Sequence, residues 1–349
     1  MEEFKIGLYT LGDYSSNAEN GEIISEQDRI EEIIGAAKLA DQYGLDVFAV
    51  GESHQEHFIS QAHALILAAI ARETKNITLS SSATILSTSD PVRVYENFST
   101  LDLLSNGRAE IVGGRASRVG LFHLLGYELA DYEALFEEKF QLLLKLNNEE
   151  EITWSGNYRA DLKNAVLYPK PVQKKLPIWR AVGGPAESAI KAGIQGVPMM
   201  LATLAGPVSH FNNTVMTYRN VFQDTHDNID DMRIGITGLF HVAETDEIAF
   251  KRFYRYLDHG LRQANGHGFN PEAYRTALDI RNVLLVGSAE TIIEKMVYQY
   301  QTYGNERHML QLDIGGLPYA DVKEQIRIVG EVIAPEVKRR IKQLKEENK

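Results

Sequence analysis

Eight short β-rich runs, each followed by a helical pattern, constrain this chain more than anything else in it. The runs are 4–10 (FKIGLYT), 45–51 (LDVFAVG), 77–86, 108–113, 177–182 (PIWRAV), 197–203 (VPMMLAT), 233–243 (RIGITGLFHVA) and 308–314 (HMLQLDI). Several are apolar on both faces, as strands buried within a parallel sheet must be. The first helical pattern opens at Ser25, which forms a capping box with Asp28, and Gly44 ends it. Others cover about 60–73, 91–104, 131–147, 185–193, 207–223, 246–265, 289–303 and 319–345. Eight βα units in 349 residues predict an α/β fold closed into a (β/α)8 TIM barrel rather than a doubly wound sheet. No boundary reads as a flexible linker, so residues 1–349 are expected to form a single domain.

Two stretches break the repeat. Residues 148–176 read as a short hairpin and an extended loop. Residues 264–288 read as an insertion over the barrel mouth, a candidate lid. The helix at 60–73 is apolar on nearly every face, whereas an outer barrel helix needs one apolar stripe. It is either a dimer interface or a surface covered by another part of the chain.

Composition removes several classes of function. Net charge is −12 with no long basic run, so nucleic acid and anionic membranes are not expected partners. There is no cysteine, which excludes disulfides, zinc–thiolate sites and thiol nucleophiles. The opening MEEFKIGLYT lacks the features of a signal peptide, and no run approaches the roughly 18 apolar residues of a membrane span. A cytoplasmic location is expected.

In a parallel barrel, ligands bind at the carboxyl ends of the strands. The second strand ends in GESHQEHF, which gathers Glu52, Ser53, His54, Glu56 and His57. Such groups can ligate metal or handle protons. The other strand ends offer Arg115, Gly183 with Gly184, and Gly315 with Gly316, none of which ligates metal by its side chain. Only His241 and Asp313 could add ligands. An acid–base and orienting role in a cofactor pocket is therefore expected. A metal site or a chemically silent polar strand end are the alternatives.

Ser82, Ala83 and Thr84 are small enough to admit a flat ring. Arg115 beyond Gly113 and Gly114 suits a phosphate or carboxylate, with a surface ion pair as the plainer alternative; Arg118 follows it. Gly183 and Gly184 before Pro185 place backbone N–H groups at a helix start, an anion site in form. Tyr9, Phe58, Trp179, Met199, Met200 and Phe240 are expected to pack the barrel, with an apolar wall for a planar ligand as the alternative. No G-x-G-x-x-G follows the first strand, and neither a P-loop nor a G-x-S-x-G occurs.

The block SATILSTSDPVRVYENFSTLDLLSNGRAEIVGGR resembles the bacterial luciferase-like, flavin-dependent monooxygenases. GLDVFAVGESH, PIWRAVGGPAESAIKAGIQGVPMML, VGSAETIIEKM and LQLDIGGLP extend the resemblance over nearly the whole chain, closest to a branch with AVGG-x-x-ES after the fifth strand. It implies a (β/α)8 barrel, dimeric through helices near 60–73 and 91–104. It also implies FMN, taken up in reduced form from a separate flavin reductase. Carried over by position, Ser82 and Ala83 would form a non-proline cis peptide beside the flavin ring. Arg115 would face the phosphate, Gly183 and Gly184 would donate N–H groups to it, and Glu52 and His54 would lie near the flavin.

One departure matters. Many members have Glu-His-His where this chain has Glu52, Ser53 and His54, so aldehyde-oxidising luminescence is not expected. The expected activity is a monooxygenase that uses reduced FMN and O2 on a small organic substrate, with His54 as candidate acid–base group. An FMN- or deazaflavin-dependent reductase or dehydrogenase is the first alternative. A flavin-binding protein with little catalysis is the second, and a metal-dependent hydrolase the third.

Overall fold

The computed structural model describes residues 3–116, 118–183 and 186–347. Eight strands form a closed parallel barrel: β1 (Lys5–Thr10), β2 (Val47–Val50), β3 (Thr78–Ser81), β4 (Ala109–Gly114), β5 (Ile178–Val182), β6 (Met199–Thr203), β7 (Ile234–Val242) and β8 (Arg307–Gln311). β1 pairs with β2 on one side (Gly7 opposite Val47) and with β8 on the other (Lys5 opposite Arg307). β7 closes the ring between β6 and β8.

The two apolar faces of the strands have separate destinations. Tyr9, Val47, Ala49, Val112, Trp179, Met200 and Met309 point inward and fill the barrel. Leu8, Phe48, Val50, Ile111, Leu201, Ile236 and Leu310 point outward into the helix layer. Of the residues expected in the barrel, Tyr9, Trp179 and Met200 are inside. Met199 and Phe240 belong to the outer layer. Phe58 is buried in the loop after β2.

The helices follow their local signals. Helix α1 (Glu26–Gln42) is capped by Ser25, whose hydroxyl accepts from Asp28 N–H at 3.1 Å. The Asp28 carboxylate completes the pair by accepting from the Ser25 hydroxyl (2.6 Å) rather than from its backbone. Helix α2 (His63–Glu73) buries Ile66, Leu67 and Ile70 but leaves Leu65 73% exposed. Helix α3 (Pro91–Ser105) starts on Asp90 with Pro91 in its first turn, and Asn106 takes the left-handed cap at φ 58°. Gly107 follows the cap and donates its N–H to Asp102 O at 2.9 Å. Helices α4 (Tyr132–Asn148), α5 (Ala186–Gln195), α6 (Val208–Thr225), α7 (Asp246–Asn265) and α8 (Ala289–Tyr303) complete the ring.

The structure corrects the sequence reading at three boundaries. The run 77–86 is not one strand; it breaks after Ser81 and resumes as the pair Thr84–Ile85. The eighth strand stops at Gln311, because Asp313, Gly315 and Gly316 adopt positive φ and turn the chain. The C-terminal helix is two segments, Tyr319–Ile328 and Ala334–Glu347, joined by a π-helical turn at Val329–Ile333. Gly330 lies in that turn against Tyr43, where an added Cβ would come within 2.4 Å of the tyrosine Cβ.

The 148–176 stretch contains the expected hairpin, Ile152–Trp154 against Leu162–Ala165. The 264–288 stretch is anchored. Its Leu285–Gly287 strand pairs with the end of β7, and Tyr274, Ala277, Leu284 and Val286 pack with Leu239, Phe253, Leu257 and Ile314. The buried Lys295 ammonium ties it down further by donating to Ala277 O (2.6 Å) and Asp279 O (2.9 Å). No helix among the described residues is long and apolar enough to cross a membrane.

Candidate active site

A cavity of about 550 Å³ opens at the carboxyl end of the barrel. That volume is in the range of small-molecule and cofactor sites. Its lining falls into two halves. The ends of β3 to β6 supply Ser82, Ala83, Ala116, Ala181, Gly183 and Ala202, while β7, α7 and the insertion supply Leu239, Leu257, Leu261 and Phe269. Tyr9, Thr237 and Gln311 line it from β1, β7 and β8, and the Tyr9 hydroxyl donates to Gln311 Oε1 at 3.0 Å. Burial pushes the Tyr9 phenol well up, so it stays protonated.

The small-residue wall depends on two close approaches. The Ser82–Ala83 peptide is cis. An added Cβ at Gly51 would lie 2.4 Å from Ser82 O, and one at Gly114 would lie 2.8 Å from Ala83 Cβ and 3.2 Å from Ala181 Cβ. Glycine at both positions lets the turn after β3 sit flush with its neighbours. At Gly183, by contrast, an added Cβ would meet nothing within 4 Å. Gly184 and Pro185, the remainder of the expected anion site, lie outside the described residues.

A smaller niche lined by Glu52, Ser53 and His54 shares Leu11, Ser82, Ala83, Arg115, Ala116 and Arg118 with the main cavity. Here the residues expected from the second strand converge. His54 Nε2 is 2.7 Å from Glu52 Oε1. The other Glu52 oxygen accepts the Ile85 N–H at 2.7 Å, and the Glu52 N–H donates to Ala83 O at 3.0 Å. Glu52 therefore fastens β2 to the turn after β3 while orienting His54. Ser53 is buried and lines the niche. Glu56 is exposed and lines neither cavity.

His63 is the member of this group that the sequence reading missed. It sits on the inward face of α2, with Nε2 2.8 Å from Thr84 Oγ1 and Nδ1 3.8 Å from Glu52 Oε2. Burial lowers its pKa and outweighs the pull of the Glu52 carboxylate, so it is a neutral ring behind the carboxylate. The available signal was a lone polar side chain at the start of an otherwise apolar helix.

The two guanidinium groups beyond β4 diverge. Arg115 forms an ion pair with Glu133 in the first turn of α4 and lies over the rings of Tyr132 and Phe136. Arg118 lies 4.7 Å over the Phe58 ring, and its Nε donates to Asn265 Oδ1 at 2.9 Å.

The metal alternative finds no support in the geometry. No cluster of three or more potential ligands forms among the described residues. His241 is stacked on Phe253 (5.5 Å, 13° between planes), with burial pushing its pKa down to about 4. Asp313 accepts from Thr10 Oγ1 at 2.8 Å and is ion-paired to Arg29.

A family model described as luciferase-like monooxygenase matches residues 6–306. The N-acetyl-S-alkylcysteine monooxygenase of Bacillus subtilis (strain 168) is 28% identical over 288 residues, covering 80% of this chain and 78% of that protein. The barrel superposes on the oxygenating constituent of 3,6-diketocamphane monooxygenase from the CAM plasmid of Pseudomonas putida, solved with FMN. The TM-score is 0.77 at 18% identity, over 96% of this chain and 99% of that one. It superposes also on an F420-dependent secondary alcohol dehydrogenase holding an F420–acetone adduct. There the TM-score is 0.72 at 20% identity, over 96% and 99% of the two chains.

Proposed function

The chain belongs to the luciferase-like monooxygenase family, and from that premise we propose an oxidoreductase that uses reduced FMN and O2 to oxidise a small organic substrate. The observation that carries this reading is the two-sided mouth: a wall of alanine, glycine and serine faces a wall of leucine and phenylalanine. A flat ring fits against the first, and an apolar substrate beside the second.

Reduced FMN, when bound, supplies the activation of O2. The chain's own residues then have distinct tasks. Ser82, Ala83, Ala181 and Ala202 hold the ring face. Gly183, together with Gly184, would offer backbone to the phosphate, and Arg115, which here pairs with Glu133, would supply the opposing charge. With its Nε2 engaged by Glu52, His54 keeps Nδ1 for proton exchange. Leu257, Leu261 and Phe269 exclude water from the substrate side. Ser53 argues against luminescence. A separate reductase supplies the reduced flavin in the cytoplasm. The chain works as a single-domain protomer of a homodimer through α2 and α3, whose groove of about 530 Å³ is lined by Ala64, Leu65, Ala68, Leu101 and Leu104.

The test is direct. The protein is loaded with FMN, reduced without air, then mixed with isotopically heavy O2 and candidate substrates, and products are read by mass spectrometry. Heavy oxygen in the product supports the reading; oxidation without incorporation overturns it. The F420-dependent relatives favour a second reading, a deazaflavin-dependent dehydrogenase on the same barrel. Anaerobic turnover coupled to F420 reduction, with no turnover from FMN, would establish that one instead.

A further inference from the structure

Resting on that reading, we propose that Arg118 recognises the substrate, and that the substrate is a small organic anion with a carboxylate on a compact apolar body. Apart from Arg115 and Arg118, the main cavity is lined by uncharged and largely apolar groups. Arg115 is turned toward α4 and neutralised there by Glu133. Arg118 is turned the other way, toward the loop after β2 and the end of α7. It lines both the main cavity and the niche that holds Ser53 and His54, and so stands where a substrate would pass between them.

The geometry leaves this guanidinium incomplete. Its Nε is committed to Asn265, and the Phe58 ring supports its face. Among the described residues it makes no ion pair. Asp13, the carboxylate whose charge reaches it, is bound instead by the Ser15 hydroxyl at 2.6 Å, and burial pushes its pKa up to about 6. Among the described residues its two terminal nitrogens carry no hydrogen bond, which leaves them to form the fork that a carboxylate fits. Burial of this half-buried guanidinium lowers its pKa, and an anionic ligand would offset that desolvation. Beyond the fork, Leu204, Leu239, Leu257, Leu261, Phe269 and Ile314 present only hydrocarbon. A polyanion or a sugar would leave its other polar groups unmatched there.

The same fork could hold the phosphate of FMN, so the experiment separates the two sources. The full chain, with and without FMN, is titrated calorimetrically with straight-chain carboxylates from butanoate to octanoate, with benzoate, and with the matching primary amides. At least one acid should bind about tenfold or more tightly than its amide. That preference should disappear in Arg118→Gln and be partly kept in Arg118→Lys, with the FMN-to-riboflavin affinity ratio unchanged in both. Arg118→Lys keeps the charge and covers the case in which the glutamine variant fails to fold. The proposal is overturned if no acid outbinds its amide, or if Arg118→Gln keeps the preference. It is also overturned if the variant loses affinity for FMN but not for riboflavin. Acid preference through Arg118 without flavin binding would defeat the flavin reading alone. Oxygen transfer to neutral substrates that ignores Arg118→Gln would defeat this one alone.

Discussion

Gly51→Ala tests whether the shape of the mouth rests on one close approach. The new Cβ would lie 2.4 Å from the Ser82 carbonyl oxygen and 2.7 Å from Leu11 Cδ2. The leucine can turn away, but the carbonyl is backbone. Ordinary contact begins at 3.4 Å, so the seam between β2 and the turn after β3 must open by about 1 Å. That seam carries the Glu52 N–H to Ala83 O bond at 3.0 Å and the Ile85 N–H to Glu52 Oε2 bond at 2.7 Å. Both leave hydrogen-bond range on such an opening. Overpacking costs about 1–3 kcal/mol, each lost bond about 1 kcal/mol, and the stiffer unfolded chain offsets about 0.4–1 kcal/mol. The net expectation is a destabilisation of about 2–5 kcal/mol.

Urea unfolding, followed by the fluorescence of Trp154 and Trp179, measures it. The control is Gly183→Ala, where the added Cβ meets no protein atom and stability should change by less than about 0.5 kcal/mol. The two variants should separate in a second readout. On the proposed reading, Gly183→Ala should weaken FMN binding while leaving the fold intact, because its methyl would occupy the space assigned to the ligand. If Gly51→Ala unfolds within about 0.5 kcal/mol of the parent, the seam is softer than argued and the account of the wall fails.

Three further outcomes are expected. His308 is buried with neither ring nitrogen partnered among the described residues, and burial pushes its pKa from 6.5 down to about 3. Between those values the unfolded chain binds a proton that the folded chain refuses, so stability falls as pH drops through that window. His308→Leu should flatten the stability slope from about pH 6 to about pH 4 by up to about 1.4 kcal/mol per pH unit, and an unchanged slope would refute the neutral buried ring. At the base of the barrel Glu110 and Arg307 form a buried ion pair (Nη2 to Oε2 3.1 Å), so Glu110→Gln should cost about 3–5 kcal/mol in urea unfolding. Burial pushes the Glu110 carboxyl up, but the Arg307 guanidinium overcomes this and holds it below the usual range. Its stabilisation is therefore present above the ordinary carboxylate pKa and lost as pH falls through the depressed folded value. If the protein pairs through α2 and α3 as proposed, it should sediment as a dimer, and Leu65→Asp, at an exposed side chain of α2, should halve that mass without lowering stability; a monomeric parent or an intact dimer in the variant would refute that interface.

Much of the barrel was readable because parallel strands are buried on both faces and so appear as unbroken apolar runs. Strand ends were readable for the opposite reason: Glu52, His54, Arg115 and Gly183 interrupt those runs where the chain reaches solvent or a ligand. What escaped were pairings between elements far apart in the chain. An ion pair was among the readings of Arg115, but its partner Glu133, 18 residues on, could not be named from the sequence. His63 looked like a stray polar residue in an apolar helix, and only the packing of α2 on β3 brings it behind Glu52. The π-helical turn at Val329–Ile333 has no periodic signature, and the contact of its Gly330 with Tyr43 joins residues far apart in the chain.

On the proposed reading, one loop serves two ligands. Arg115 and Arg118 are three residues apart, yet one leans on Tyr132 and Phe136 and the other on Phe58. Aromatic faces on opposite sides fix each guanidinium, so the two cannot substitute for one another. On the proposed reading, the cofactor half of the site is written into alanines and glycines at the ends of β3 to β6, held flush by Gly51 and Gly114, where an added Cβ collides with backbone or a neighbouring Cβ. The substrate half is written into side chains such as Ser53, Leu261, Phe269 and Arg118, which can change without moving the barrel. Exchanging Arg118 for a neutral side chain should therefore alter which molecules are oxidised and leave flavin binding as it was, whereas enlarging Gly51 or Gly114 should cost the fold before it changes specificity.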